Sequence, residues 1–158
     1  MSAGNVVEQL ELSGVGMGLR KVAQIVSHSD FTDNGDTTGD LTLENQLPVG
    51  AFVIGTKVKV LEAFSGGSNT TATMTVGKTA GEDEFTDGTS VNVAAVGVVG
   101  DSAEDPLEFI ASATDVICRV TVDNDFTTVA AGKLMVEVFY LSTKYEYNNP
   151  GYPLEINA

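Results

Sequence analysis

The chain has one cysteine, Cys118, in 158 residues. No internal disulfide can form, and thiolate metal clusters are excluded, so stability has to come from packing or assembly. There is one histidine, His28, and no tryptophan. A Ser-His-Asp or Cys-His site would need partners that the sequence around His28 does not supply, and a sugar platform would lack its usual indole. Basic residues are scarce, with 8 Lys+Arg against 22 Asp+Glu and a formal charge of −14. That charge repels phosphate backbones and the anionic face of a membrane, so neither nucleic acid nor membrane is an expected partner. No run approaches the roughly 20 apolar residues of a membrane-spanning helix. Met1-Ser2-Ala3-Gly4-Asn5 has neither the basic start nor the apolar stretch of a secretory signal, and the expectation is a product soluble where it is made.

What is abundant is strand periodicity. From Phe52 to Glu62, residues 52, 54, 56, 58, 60 and 62 alternate with 53, 55, 57, 59 and 61, a period of two and not of 3.6. Ser65-Gly66-Gly67-Ser68-Asn69 follows with residues that tolerate positive φ, and Thr71, Thr73 and Thr75 then alternate with Ala72, Met74 and Val76. The pattern predicts a β-hairpin. Further strands are expected over residues 19–28, 38–47, 107–111, 115–122 and 133–142, with a short one within 90–99. Residues 80–106 otherwise read as a long acidic surface excursion. Asp123-Asn124-Asp125 is expected to be a hairpin turn.

Helix signals are weak throughout. The expected fold is all-β: an antiparallel β-sandwich, jelly-roll-like, of about eight strands with extended N- and C-terminal arms. It divides into an N-terminal arm (residues 1–18), a sandwich domain (19–142) and a C-terminal tail (143–158). On the last strand, Leu134, Val136, Val138 and Tyr140 are expected on one face. Met135, Glu137, Phe139 and Leu141 would share the other, with both faces largely covered and Glu137 the odd member. Cys118 falls on the same strand face as Val116, Val120 and Val122, as a buried structural thiol.

Chemistry is thin. Gly14-Val15-Gly16-Met17-Gly18 has neither the spacing of a dinucleotide fingerprint nor the lysine of a phosphate loop. Asp30, Asp33, Asp36 and Asp40, and Glu82-Asp83-Glu84 with Asp87, have oxygen donors of the kind calcium takes. The order departs from the twelve-residue calcium loop, and solvated loop carboxylates are the favoured reading. No enzyme activity, cofactor or metal is expected.

The two ends carry the candidate contacts. Tyr145, Tyr147 and Tyr152 lie in a tail interrupted by Pro150 and Pro153, which is either a strap over its own sandwich or an arm reaching a neighbour. With Leu154 and Ile156, and with Val6, Leu10 and Leu12 at the other end, they form the expected partner-binding set.

Leu47-Pro48-Val49-Gly50-Ala51, Ala63-Phe64-Ser65-Gly66-Gly67, Thr75-Val76-Gly77 and the run from Ala130-Ala131-Gly132 through Lys133, Leu134, Met135, Val136, Glu137, Val138 and Phe139 to Tyr140 resemble small β-rich virion proteins of tailed bacteriophages. The resemblance implies a structural role on the outer capsid surface: a decoration or cement protein, often trimeric, bound to a lattice of major capsid protein. A head-fibre or tail-associated receptor- or glycan-binding module is the alternative, since loops on the same sandwich can serve as a contact surface.

Overall fold

The computed structural model describes residues 18–86, 90–103 and 107–142. Within them the regular elements are strands, apart from two single-turn 3-10 segments, His28–Asp30 and Phe126–Thr128. The front sheet places β1 (Gly18–Ser27), β10 (Ala131–Ser142), β4 (Ala51–Ser65) and β7 (Gly97–Ser102) side by side in that order. The two-residue β8 (Glu108–Phe109) pairs with the start of β4. The back sheet runs β2 (Thr32–Asp33), β3 (Thr38–Thr42), β9 (Ile117–Val122), β5 (Ala72–Gly77) and β6 (Val91–Asn92). All pairings are antiparallel.

Setting aside the two-residue strands β2 and β8, the order is 1-10-4-7 over 3-9-5-6. Successive strands change sheet at every step except β5 to β6. That is the jelly roll, two Greek keys wound around one core. The sandwich expected from the sequence is present; β2 and β8 are what carry the count of strands beyond eight.

The predicted hairpin is not. β4 and β5 follow one another in sequence but lie in opposite sheets. Both sides of β4 are already taken, by β10 on one and by β7 and β8 on the other, so β5 pairs with β9 and β6 instead. Alternation identifies a strand and its buried face but not its neighbour. The intervening glycines, Gly66 and Gly67, do take positive φ, and they turn the chain across the roughly 10 Å between sheets. The 123–125 turn is corrected in the same way: it leads from β9 in the back sheet, through the 3-10 turn, to β10 in the front sheet. Residues 80–106 are not a surface excursion either. They contribute Phe85, Val91, Val93 and Ala103 to the core and supply the edge strands β6 and β7. Phe85 stands alone between Glu84 and Thr86, outside any periodic pattern, whereas Val91 and Val93 alternate around Asn92 within the short strand expected over residues 90–99.

The core is filled from both sheets, by Val58, Val60, Leu134, Val136 and Val138 in front and Met74, Val76, Cys118 and Val120 behind, all essentially solvent-free. Phe31 stands edge-on to Phe64 with ring centroids 5.7 Å apart and closes one end of the sandwich. Each such side chain stabilises by roughly 1.5–3 kcal/mol through removal from water. The final strand behaves as expected. Leu134, Val136, Val138 and Tyr140 point inward, while Met135, Phe139 and Leu141 are half-buried on the outside with Glu137 covered among them. Burial raises the Cys118 thiol to about 12, which keeps it neutral and inert.

Three register shifts interrupt the pairing of β4 with β10, at Ile54, at Gly132 and at Leu61. Val53 pairs with Tyr140 and Gly55 with Phe139, which leaves Ile54 without an opposite residue. The buried positions accordingly change from Ala51 and Val53 before it to Thr56, Val58 and Val60 after it. The second bulge falls at Gly132, where φ is +145° and an added Cβ would lie 2.6 Å from the Phe64 ring. Only glycine fits there.

Candidate interaction surface

The most distinctive surface of the described molecule is the outer face of the front sheet. Because Val22 and Val26 point into the core, the alternate residues of β1, Leu19, Lys21, Ala23 and Ile25, point outward. Strand pairing extends this into rows: Lys21 opposite Phe139; Ala23 opposite Glu137, Lys57 and Gly100; Ile25 opposite Met135, Lys59 and Val98. Leu19 (64% exposed), Ile25 (56%) and Val98 (58%) stand bare at its margins, with Ile54 and Leu61 also exposed.

Glu137 sits at its centre. Its side chain is 4% exposed, while those of its two cationic partners are 51% (Lys21) and 44% (Lys57) exposed. Lys21 Nζ donates to Glu137 Oε1 at 2.5 Å, and Lys57 Nζ lies 3.2 Å from Oε2. The hydrogen bond from Lys21 and the neighbouring Lys57 hold the carboxyl below its usual range, against the opposing effect of burial. The lysines reach out from the sheet with their stems over its apolar surface and their ends toward water. Beside the cluster is a shallow pocket of about 370 Å³ lined by Leu19, Ile54, Gly55, Lys57, Gly100 and Phe139 among others. Its floor exists because Gly55 and Gly100 have no side chains to fill it.

The outer face of the back sheet is different. It presents Thr38, Thr42, Thr73, Thr75 and Thr121 around the ion pair of Arg119 and Asp40, which meet at 2.6 and 2.7 Å in a two-pronged contact. The guanidinium holds the Asp40 carboxyl low. This is a hydrated face of ordinary chemistry.

The acidic loops are occupied with local structure. Asp30 accepts from the Ser27 amide, Asp33 from Gly35 and Asp36 from Thr37. Glu84 accepts from the Lys78 amide. Asp123 accepts from the Thr70 hydroxyl and from the amides of Thr71 and Thr70, which hold its carboxyl down to about 2. Asn69 adds bonds to Asn124, Asp125 and Thr128, so the β4–β5 and β9–β10 crossovers are fastened to one another. Among the described residues no group of three His, Cys, Asp or Glu side chains is arranged to hold a metal ion. His28 is half-buried in its single 3-10 turn.

The residues assigned to partner binding from the sequence, Val6, Leu10, Leu12, Tyr145, Tyr147, Tyr152, Leu154 and Ile156, lie outside the described residues, as does Asp87. What the structure adds is their point of departure: Gly18 pairs with Ser142, so both terminal segments begin side by side at one end of the front sheet. The front face itself was missed from the sequence. Its signal was the alternation Lys57-Val58-Lys59-Val60 together with the odd Glu137, which places cations and one acid on the face opposite the valines.

The chain matches no family model and no curated protein. It is similar to solved structures from two phage capsids. One is a chain of the cyanophage Pam1 capsid asymmetric unit, with TM-score 0.56, 22% identity, and 83% of this chain and 89% of that chain covered. Another is a chain of the capsid of Ralstonia phage GP4, with TM-score 0.52, 18% identity, and coverage of 82% and 86%. The likeness is one of fold. Because coverage is high in both directions, each neighbour is a whole small chain of similar length and not a domain of a large one.

Proposed function

We propose that this chain is a non-enzymatic structural protein of a phage virion, which binds the assembled lattice of a major capsid protein from outside and stabilises it as a decoration or cement protein. The observation that carries the reading is the fold likeness, over nearly the whole length of both partners, to small chains of two phage capsids. The chemistry of the described residues agrees with it: the thiol is buried and neutral, and the conspicuous carboxylates are engaged by amides, hydroxyls or cations.

Contact with the lattice is assigned to the two ends, through Val6, Leu10 and Leu12 on one side and Tyr145, Tyr147, Tyr152, Leu154 and Ile156 on the other. Starting side by side at Gly18 and Ser142, they act as one double attachment. A protein that binds the assembled lattice and not its separated subunits shifts assembly by mass action, and many modest contacts act together. A homotrimer fits this role, because ends that exchange contacts between copies close a symmetric ring.

The test is co-sedimentation. Capsids of the encoding virus that lack the chain are mixed with purified protein and run on a density gradient. The protein should travel with the shells at a saturating ratio and raise the temperature at which they open; protein that stays at the top of the gradient overturns the proposal. Light scattering on the free protein checks the trimer.

A further inference from the structure

The outer face of the front sheet combines exposed apolar side chains with surplus positive charge. Strand register gathers Lys21, Lys57, Lys59 and Lys133 there against Glu137 and Glu62, a surplus of two positive charges in a chain whose formal charge is −14. Lys21 and Lys57 meet Glu137 and, with three N–H donors on each ammonium, keep donors for a further acceptor. Lys59 forms no ion pair with a described residue. At one end of the same face, β1, β10, β4 and β8 set Leu19, Leu141, Phe52 and Phe109 side by side, with Leu19 and Phe109 well exposed. An apolar surface rimmed by charge in this way marks an interaction site.

Charge decides what can cover it. A second copy docked face to face would set the lysines against themselves. The described acidic loops of a second copy, residues 30–36 and 82–84, fit no better, because they expose no large apolar side chain: Phe31 and Phe85 are both buried. Their carboxylates Asp30, Asp33, Asp36 and Glu84 already accept from local amides. Two copies, each at a formal charge of −14, also repel one another. What the face fits is a segment of another protein that carries carboxylates together with an apolar side chain. The pocket of about 370 Å³ over Gly55 and Gly100, walled by Leu19, Ile54 and Phe139, has room for a side chain of Leu or Phe size, and Lys57 in its lining stands ready for the acid beside it.

We infer that the front face docks an acidic segment on the outer surface of the major capsid protein, whose carboxylates meet Lys21, Lys57 and Lys59 while one apolar side chain fills the pocket over Gly55 and Gly100. The identity of the partner rests on the capsid reading; the chemistry it must present rests on the face. The arrangement also gives the docked sandwich a direction. Its outer front face is the side with surplus positive charge, so an acidic shell draws that side inward and turns the acidic loops away.

Shells of the encoding virus that lack the chain are the probe, with binding read by co-sedimentation and the fold of each variant checked by its melting temperature. Lys59→Glu should weaken binding by roughly tenfold or more, because it sets like charges against each other, and added salt should weaken binding of the native protein. Gly100→Leu should weaken it by filling the pocket, and the sandwich can accept the change, since a Cβ there meets nothing within 4 Å. Thr121→Glu, which adds a carboxylate at an exposed position of the back sheet, should bind as the native chain does. Without any substitution, acetylation of Lys59 followed by mass spectrometry should be several-fold slower on shells than in the free protein. Binding undiminished in both Lys59→Glu and Gly100→Leu, or equal Lys59 reactivity on and off the shells, would overturn the inference and leave the capsid reading standing. Native protein that does not sediment with shells would overturn both. Protection of Lys59 that grows with protein concentration in the absence of shells would also overturn the inference, by assigning the face to a second copy.

Discussion

Removing the two lysines around Glu137 should harm the protein far more than removing Glu137 itself. The asymmetry follows from burial. The Glu137 side chain is 4% exposed, whereas Lys21 and Lys57 are 51% and 44% exposed. In Glu137→Met a straight side chain of similar size takes the covered position, and both ammonium groups turn into water that is already within reach. The loss is then that of a surface pair, about 1 kcal/mol or less. In Lys21→Met/Lys57→Met the carboxylate stays in the sheet without a cation. Breaking a buried pair from that side costs about 3–5 kcal/mol, unless the acid escapes by taking up a proton. The sign of the pH dependence therefore reverses. In the native protein the Glu137 carboxyl is held low, so its contribution is present above the unfolded value of about 4.3 and is lost as pH falls. In the double variant burial alone acts and raises the carboxyl. Its penalty is absent below the unfolded value and grows as pH rises through the folded one. Urea unfolding of the three proteins from about pH 3 to about pH 8 reads both effects, the native loss below about pH 4.3 and the double variant's penalty above it. A double variant no less stable than Glu137→Met, or one whose stability does not improve toward pH 5, would refute the reasoning.

Other consequences are separately measurable. Val138→Asp places a carboxylate at a solvent-free position of the central strand β10 and should cost about 3 kcal/mol or more, seen as a large fall in melting temperature. Gly132→Ala forces a side chain into a left-handed bulge against the Phe64 ring; a loss of about 1–3 kcal/mol in urea unfolding is expected. Asp123→Ala removes the acceptor of three bonds from Thr70 and Thr71 and should speed hydrogen exchange at those amides while the centre of β10 keeps its protection. Native stability should be level above about pH 5 and fall on acidification, because Asp40, Asp123 and Glu137 are all held low in the folded state and the unfolded chain takes up their protons first. Deleting residues 144–158 should leave the sandwich folded and weaken capsid binding; unfolding would make the tail a strap of its own domain, and undiminished binding would move the contact to the loops.

The strands were legible because each carries a local signal. Alternation placed β1, β4, β9 and β10 and separated Leu134, Val136 and Val138 from Met135, Glu137 and Phe139. What alternation does not encode is the partner. Both β4 and β5 are followed or preceded by glycines and bury one face, as a hairpin would, and only competition for the edges of β4 sends β5 to the other sheet. Phe85 was unreadable for another reason: it is a lone apolar side chain between Glu84 and Thr86, with no alternation around it, and yet it is fully buried. The front face lay in plain view as Lys57, Lys59 and Glu137, but its meaning depends on Lys21 arriving across β10 from the other end of the chain.

The central claim is a place on the outside of a capsid, and a reconstruction by electron cryomicroscopy of particles with and without the chain tests it most directly. The account predicts that the difference map contains a jelly-roll sandwich of ten strands on the outer surface of the shell, touching major capsid subunits at the end where Gly18 and Ser142 pair. Difference density confined to the tail or to a fibre, or identical shells, would contradict it.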